Sequence, residues 1–146
     1  MSQAPTNLNP AVAKSLEIWH ALVEAGDLST LEKIVHPEAV FRSPMSINPY
    51  GPAPALLIAL QTVLTIFKEF TYHRQFGSSD GMSVVLEFSA MVEDKKLKGI
   101  DMIRFDEQGR IVEFEVMIRP LNSLQALGAE MGARLGQHLP SFKFKD

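Results

Sequence analysis

The sequence predicts an α+β domain in which a curled antiparallel sheet covers a layer of helices. Three observations carry this. Apolar residues recur at helical spacing through the first part of the chain, the period changes to two from Phe70 onward, and turn residues cut the alternating region into four strands, the last three long and consecutive. At 146 residues and 46% hydrophobic, the chain is long enough for one domain with a substantial core. The expected division is a flexible arm over residues 1–9, a folded domain over 10–119, and a C-terminal helix and tail over 120–146.

The first helix is expected to open at Asn9-Pro10, an N-cap followed by Pro at the first helical position, and to run to about Ala25. Val12, Leu16, Trp19 and Val23 share its apolar face, which turns Trp19 inward. Gly26 supplies a left-handed cap. Ser29 to Glu32 has capping-box spacing for a second short helix through Val35, giving a helical hairpin. His36-Pro37 stops that helix, because Pro disfavours helical geometry in the residue before it. Ala39 to Ser43 reads as a short strand ended by Pro44, and the Pro-rich stretch to Pro54 as a loop of the kind that borders sites. Ala55 to Phe67 is apolar nearly all round, as a helix buried between layers should be.

Phe70 to Phe76 and Met82 to Val92 then read as strands separated by a turn at Gly77 to Gly81. The last two strands fall in Lys98 to Arg119, with Asp106-Glu107-Gln108-Gly109 as the hairpin turn and Gly109 supplying positive φ. Alternation places Asp101 on the same face as Ile103 and Phe105. A carboxylate there is costly unless something pairs with it, so Asp101 stands out as the candidate for chemistry. Arg104 points to the opposite face, where Glu113 or Glu115 would meet it across the hairpin. Beyond Arg119-Pro120, Leu121, Leu124, Leu127, Met131 and Leu135 keep helical spacing. Gly128, Gly132 and Gly136 weaken that helix by roughly 1 kcal/mol each relative to Ala, so it must dock on something. Pro140 to Asp146 reads as an extended arm.

Charge and composition exclude several function classes. The net charge of −3 leaves no basic footprint for nucleic acid, and with no cysteine there is no disulfide, thiolate nucleophile or Cys-ligated metal. No metal or other cofactor is expected, since neither the four histidines nor the acids fall at ligand spacing. His20 and His73 read as packing or surface residues, and His36 and His138 as loop residues beside prolines. There is no basic start followed by an apolar leader and no apolar run of membrane-spanning length. The expectation is a cytoplasmic protein with no membrane partner.

Helical hairpin, short strand, buried helix and curled meander, in that order, resemble the cone-shaped, cystatin-like fold of the nuclear transport factor 2-like superfamily, and within it the SnoaL-like and ketosteroid isomerase-like proteins. The resemblance runs from about Pro10 to Ile118. It rests on the Gly26-Asp27-Leu28 break, Ala39 to Pro44, and Ile100-Asp101-Met102-Ile103-Arg104-Phe105 followed by Gly109-Arg110-Ile111.

This likeness implies a pocket inside the cone and assigns positions to it. Ketosteroid isomerases carry an oxyanion-donating Tyr eight residues before the Asp of the Gly-Asp break; here that position is Trp19. Their proton-abstracting Asp precedes the Pro that ends the first strand, where this chain has Ser43. Their second oxyanion donor, an Asp in an Ile-Asp-x-x-Arg-Phe strand, coincides with Asp101. The second Asp of the related epoxide hydrolases matches Val116. With Ser43 in the base position, classical ketosteroid isomerisation is not expected.

The expected activity is therefore proton transfer of isomerase, cyclase or hydratase type on an apolar carbonyl-containing ligand. Asp101 is the catalytic candidate, and Trp19, Ser43, Tyr50, Ile103, Phe114, Val116 and Ile118 are the substrate-binding candidates. The alternative is a noncatalytic small-molecule-binding or dimerisation domain. A third reading is a protein-interaction module with a filled cone. The outer sheet face, with Ile100 and Met102 beside Met117, suits a homodimer contact, as the resemblance also implies.

Overall fold

Asn9 and Gly26 bracket the first helix as expected. In the computed structural model, which describes residues 4–135, helix α1 spans Pro10–Ala25. The Asn9 side chain accepts from the backbone N–H of Ala11 at 2.8 Å, and Gly26 takes φ +70°, satisfying amides and carbonyls that the helix ends leave open. Residues 4–9 lie along the sheet: Asn7 Nδ2 donates to the Ser78 carbonyl at 3.0 Å, and the Asn9 amide to that of Gly81 at 3.1 Å.

The expected second helix is a single 3-10 turn, Leu31–Ile34, and Val35 belongs to the following strand β1, Val35–Arg42. Its capping box does not form. The Ser29 amide binds Asp27 Oδ1 instead, and Thr30 offers no side-chain cap. Val35 and His36 are already extended because Val-His-Pro favours strand geometry, and the irregular register between Val35 and Val40 accommodates Pro37. After the Pro-rich loop, helix α2 spans Ala53–Ile66.

Strands β2 (Lys68–Gly77), β3 (Ser83–Val92), β4 (Lys95–Phe105) and β5 (Ile111–Arg119) form the antiparallel meander. Gly109, at φ +82°, closes the β4–β5 turn, and its α-carbon packs so close to Ala11 that an added Cβ would lie 2.4 Å from the Ala11 carbonyl oxygen. The sheet order is β1-β5-β4-β3-β2, and β1 joins β5 in parallel. The sheet is thus mixed and not closed: the expected antiparallel meander forms, and β1, whose direction the sequence left unassigned, adds to its β5 edge in parallel. Hydrophobic alternation reports which face of a strand is buried but carries no information about the direction of its neighbour.

The concave face of the sheet buries Val84, Leu86, Phe88, Ile103, Phe105, Ile111 and Phe114 at 1% exposure or less against Val12 and Leu16 of α1 and Leu56 of α2. Each such side chain contributes about 1.5–3 kcal/mol of transfer free energy. On the convex face Arg104 reaches Ser83 Oγ at 3.4 Å and Asp80 at 3.9 Å and not the expected Glu113, which pairs with Arg42 at 3.1 Å. Helix α3, Leu121–Leu135, crosses the open side of the sheet. Ser123 Oγ ties its start to the Lys96 carbonyl at 2.6 Å, and Arg134 ties its end to Thr65 of α2 at 2.9 Å. The expected arm at Pro140–Asp146 lies outside the described residues. No helix among the described residues is long and apolar enough to cross a membrane.

Candidate functional site

Between the concave sheet face, α2 and α3 lies a cavity of about 230 Å³. Phe114, Val116 and Ile118 of β5 form its floor, and Ala59, Leu60, Val63 and Leu64 of α2 one wall. Phe67, Phe70 and Tyr72 line a second wall. There the rings of Phe70 and Phe88 stack at 5.0 Å, and Tyr72 meets Phe70 edge-on at 4.8 Å. Leu127, Gly128, Met131 and Gly132 of α3 roof the space. Met45, half exposed, and Gly132 are the exposed members of the lining and mark its mouth.

Asp101 enters this apolar space from β4, in a row of inward residues that includes Leu97, Gly99, Ile103 and Phe105. Its neighbours in register are Leu86 on β3 and Val116 on β5, so the backbone surrounds it with hydrocarbon. Only 6% of the residue is exposed. Burial pushes its carboxyl pKa from 3.8 up to about 7, while a hydrogen bond from Tyr72 pulls the other way.

That bond belongs to a chain of three. Trp19 Nε1 donates to the Tyr72 hydroxyl at 3.0 Å, and the Tyr72 hydroxyl donates to Asp101 Oδ2. Trp19 is fixed from behind by an edge contact with Phe114 at 5.2 Å, and Tyr72 by the ring of His20 at 5.2 Å. Burial and the facing Asp101 carboxylate raise the phenol pKa well above its ordinary value, so it stays protonated as a donor. Asp101 Oδ1 has no hydrogen-bond partner among the described residues, and no buried polar atom there is left unsatisfied. Oδ1 therefore keeps surface open to the cavity.

The structure brings together Asp101, Trp19, Ser43, Tyr50, Phe114, Val116 and Ile118 around one space. Tyr50 is held there by paired backbone bonds with Phe41 at 2.8 and 2.9 Å, and Ser43 Oγ accepts from the Met45 amide at 3.0 Å. Ile103 is the exception. It is fully buried in register with Val84 and Phe114 and does not line the cavity, because the strand carries it two residues past Asp101 into the solid core. Sequence reading missed Tyr72, which it left inside the Phe70 to Phe76 strand without singling it out. The available signal was its place two residues after Phe70 on an alternating strand. His20 binds Gln75 at 2.9 Å and His73 binds Ser89 at 2.7 Å, both away from Asp101. Among the described residues, no group of three or more His, Asp and Glu side chains is placed to hold a metal ion.

A family model described as a SnoaL-like domain matches residues 16–114. A solved structure described as a steroid delta-isomerase from Pseudomonas aeruginosa is 56% identical, with 94% of this chain and 99% of that one covered and a TM-score of 0.89. A protein from Silicibacter pomeroyi, described as having a cystatin-like fold, is 26% identical over 95% of this chain and 98% of its own, with a TM-score of 0.81. SalBIII, described as an epoxide hydrolase/cyclase-like enzyme of pyran ring formation in salinomycin, shares the fold alone. It is 14% identical over 76% of this chain and 92% of its own, with a TM-score of 0.62. No curated protein matches the chain.

Proposed function

The chain belongs to the SnoaL-like domain family, and from that premise we propose that its cavity binds a small, mainly apolar carbonyl compound on which Asp101 transfers a proton. The steroid delta-isomerase neighbour supports a small-molecule reaction of that type. One observation carries the proposal: Asp101 Oδ1 opens into an apolar cavity, and its carboxyl pKa of about 7 leaves both protonation states accessible near neutral pH. A general acid or base works best when its pKa lies near the working pH. The neutral acid donates to a ligand oxygen; the carboxylate accepts a proton from the ligand carbon or from a water.

Among the described residues the cavity supplies no second carboxylate. Ser43 stands in the position where the ketosteroid isomerase resemblance puts the base, and its hydroxyl does not accept a proton at neutral pH. Removal and return of a proton then both fall to Asp101, as in a double-bond shift or an intramolecular closure. At about 230 Å³ the cavity lies below the roughly 300–1,000 Å³ of sites for drug-sized molecules. It favours a compact ring system, or a longer ligand whose far end leaves past Met45 and Gly132.

The test is a thermal-shift screen of steroids, aromatic polyketides, lactones and terpenoids against the native protein and Asp101→Asn, followed by turnover assays on the hits. A ligand stabilises the state it binds by mass action. Hits that turn over on the native protein and not on the variant support the enzyme. The second reading, a noncatalytic binding domain, is favoured by Ser43 in the base position; it is the outcome if hits bind and neither protein turns them over. No hit with either protein overturns both.

A further inference from the structure

The phenol oxygen of Tyr72 touches two hydrogen-bonding groups and owns one hydrogen. Trp19 Nε1 carries a hydrogen and no lone pair, so on that side the phenol oxygen can only accept. Among the described residues Tyr72 has no other polar partner, which leaves Asp101 Oδ2 as the sole acceptor for its hydrogen. Oδ2 is consequently an acceptor in either protonation state of Asp101. When the carboxyl is neutral, its own proton sits on Oδ1, the oxygen that opens to the cavity.

We propose that Trp19 and Tyr72 are positioning residues that set the direction of this chain, so that the one exchangeable proton of Asp101 is always presented to the ligand. The inference rests on the reading of Asp101 as the proton-transferring group, but its own content is the order of hydrogens along Trp19, Tyr72 and Asp101. A Trp in place of a second hydroxyl or carboxyl residue makes that order irreversible. An indole nitrogen cannot turn round and accept, as a phenol in the same place could. Among the described residues no other charged side chain lines the cavity. The register neighbours of Asp101 are Leu86 and Val116, α1 contributes Trp19 and, behind Tyr72, His20, and α2 and α3 line the cavity without a titratable side chain.

The experiment is a pH titration of the Asp101 side-chain carboxyl by ¹³C NMR, on the native protein, Tyr72→Phe and Trp19→Phe, with the Trp19 indole N–H followed by ¹⁵N in the native protein. Tyr72→Phe removes a donor to the carboxylate and is expected to move the Asp101 midpoint up by roughly one pH unit. Trp19→Phe leaves the phenol a weaker donor and is expected to move it up by less. The indole resonance of the native protein is expected to shift in step with the Asp101 titration, a readout that needs no variant to fold. Midpoints that stay put in both variants, or an indole signal blind to the Asp101 titration, overturn the proposal. Neither result depends on finding a ligand, so failure here and failure of the ligand screen are separate.

Discussion

The Tyr72 hydroxyl donates to Asp101 Oδ2 across β3, although the two residues sit on strands that are not neighbours in the sheet. Strands two places apart in a flat sheet are separated by roughly 10 Å, too far for direct side-chain contact of this kind. The bond therefore exists because β2 to β4 curl toward the cavity, and the stacked Phe70 and Phe88 pack inside the same bend. Curvature of the sheet, and not adjacency in the sequence, assembles the site.

Asp101 should leave a signature in the pH dependence of stability. Its carboxyl pKa is about 7 when folded against an ordinary 3.8. Between about pH 4 and 7 the folded protein holds a proton at this site that the unfolded chain has released, so stability falls as pH rises, by about 1.4 kcal/mol per pH unit. Below that window both states are protonated and above it both are ionised, so the Asp101 contribution is flat at each end. The total is on the order of 4 kcal/mol. Denaturant midpoints of the native protein and Asp101→Asn across pH 4 to 8 isolate it, and the difference between them should shrink or reverse toward acid. A pH-independent difference contradicts the buried neutral acid.

Trp19 and Tyr72 should be energetically coupled. Tyr72→Phe strands a buried indole N–H and removes a donor from a buried carboxyl, a loss of about 1–3 kcal/mol. Once Trp19 is Phe, the same change strands one group fewer. A double-mutant cycle by urea unfolding is expected to give a coupling of about 0.5–3 kcal/mol, and simple additivity counts against the chain.

Two helical glycines of α3 should respond differently to the same change. At Gly132 an added Cβ meets nothing within 4 Å, so Gly132→Ala should stabilise by about 0.5–1 kcal/mol through helix propensity. At Gly128 the Cβ would lie 2.4 Å from Met45 Cε, the flexible end of a side chain that must swing aside. Gly128→Ala should recover less of that gain. Gly132→Leu should leave folding intact while weakening any ligand that reaches the mouth, as read by thermal shift.

Gly99 has no such latitude. A Cβ there would stand 2.6 Å from both the Met117 carbonyl oxygen and Phe88 Cζ, so backbone as well as ring must move. Gly99→Ala should cost about 1–3 kcal/mol by overpacking, measured by thermal or denaturant unfolding.

The sequence by itself determined the elements and the oddity of Asp101. The Asn9-Pro10 and Gly26 caps, the turn at Gly109 and the period-two strands depend on local dihedral preference and on alternation, which act over a few residues. Part of the cavity lining was legible for the same reason, since Trp19, Phe114, Val116 and Ile118 lie on predicted inward faces. Tertiary structure alone decided the rest. The parallel seat of β1 on β5, the burial of Ile103 in solid core, and the turn of Arg104 to Asp80 and Ser83 depend on how strands pair and bend. So does the selection of Tyr72 from among the aromatic residues. Its partner Asp101 lies 29 residues away and Trp19 lies 53 away, and only the curl of the sheet against α1 brings their polar atoms within hydrogen-bonding reach.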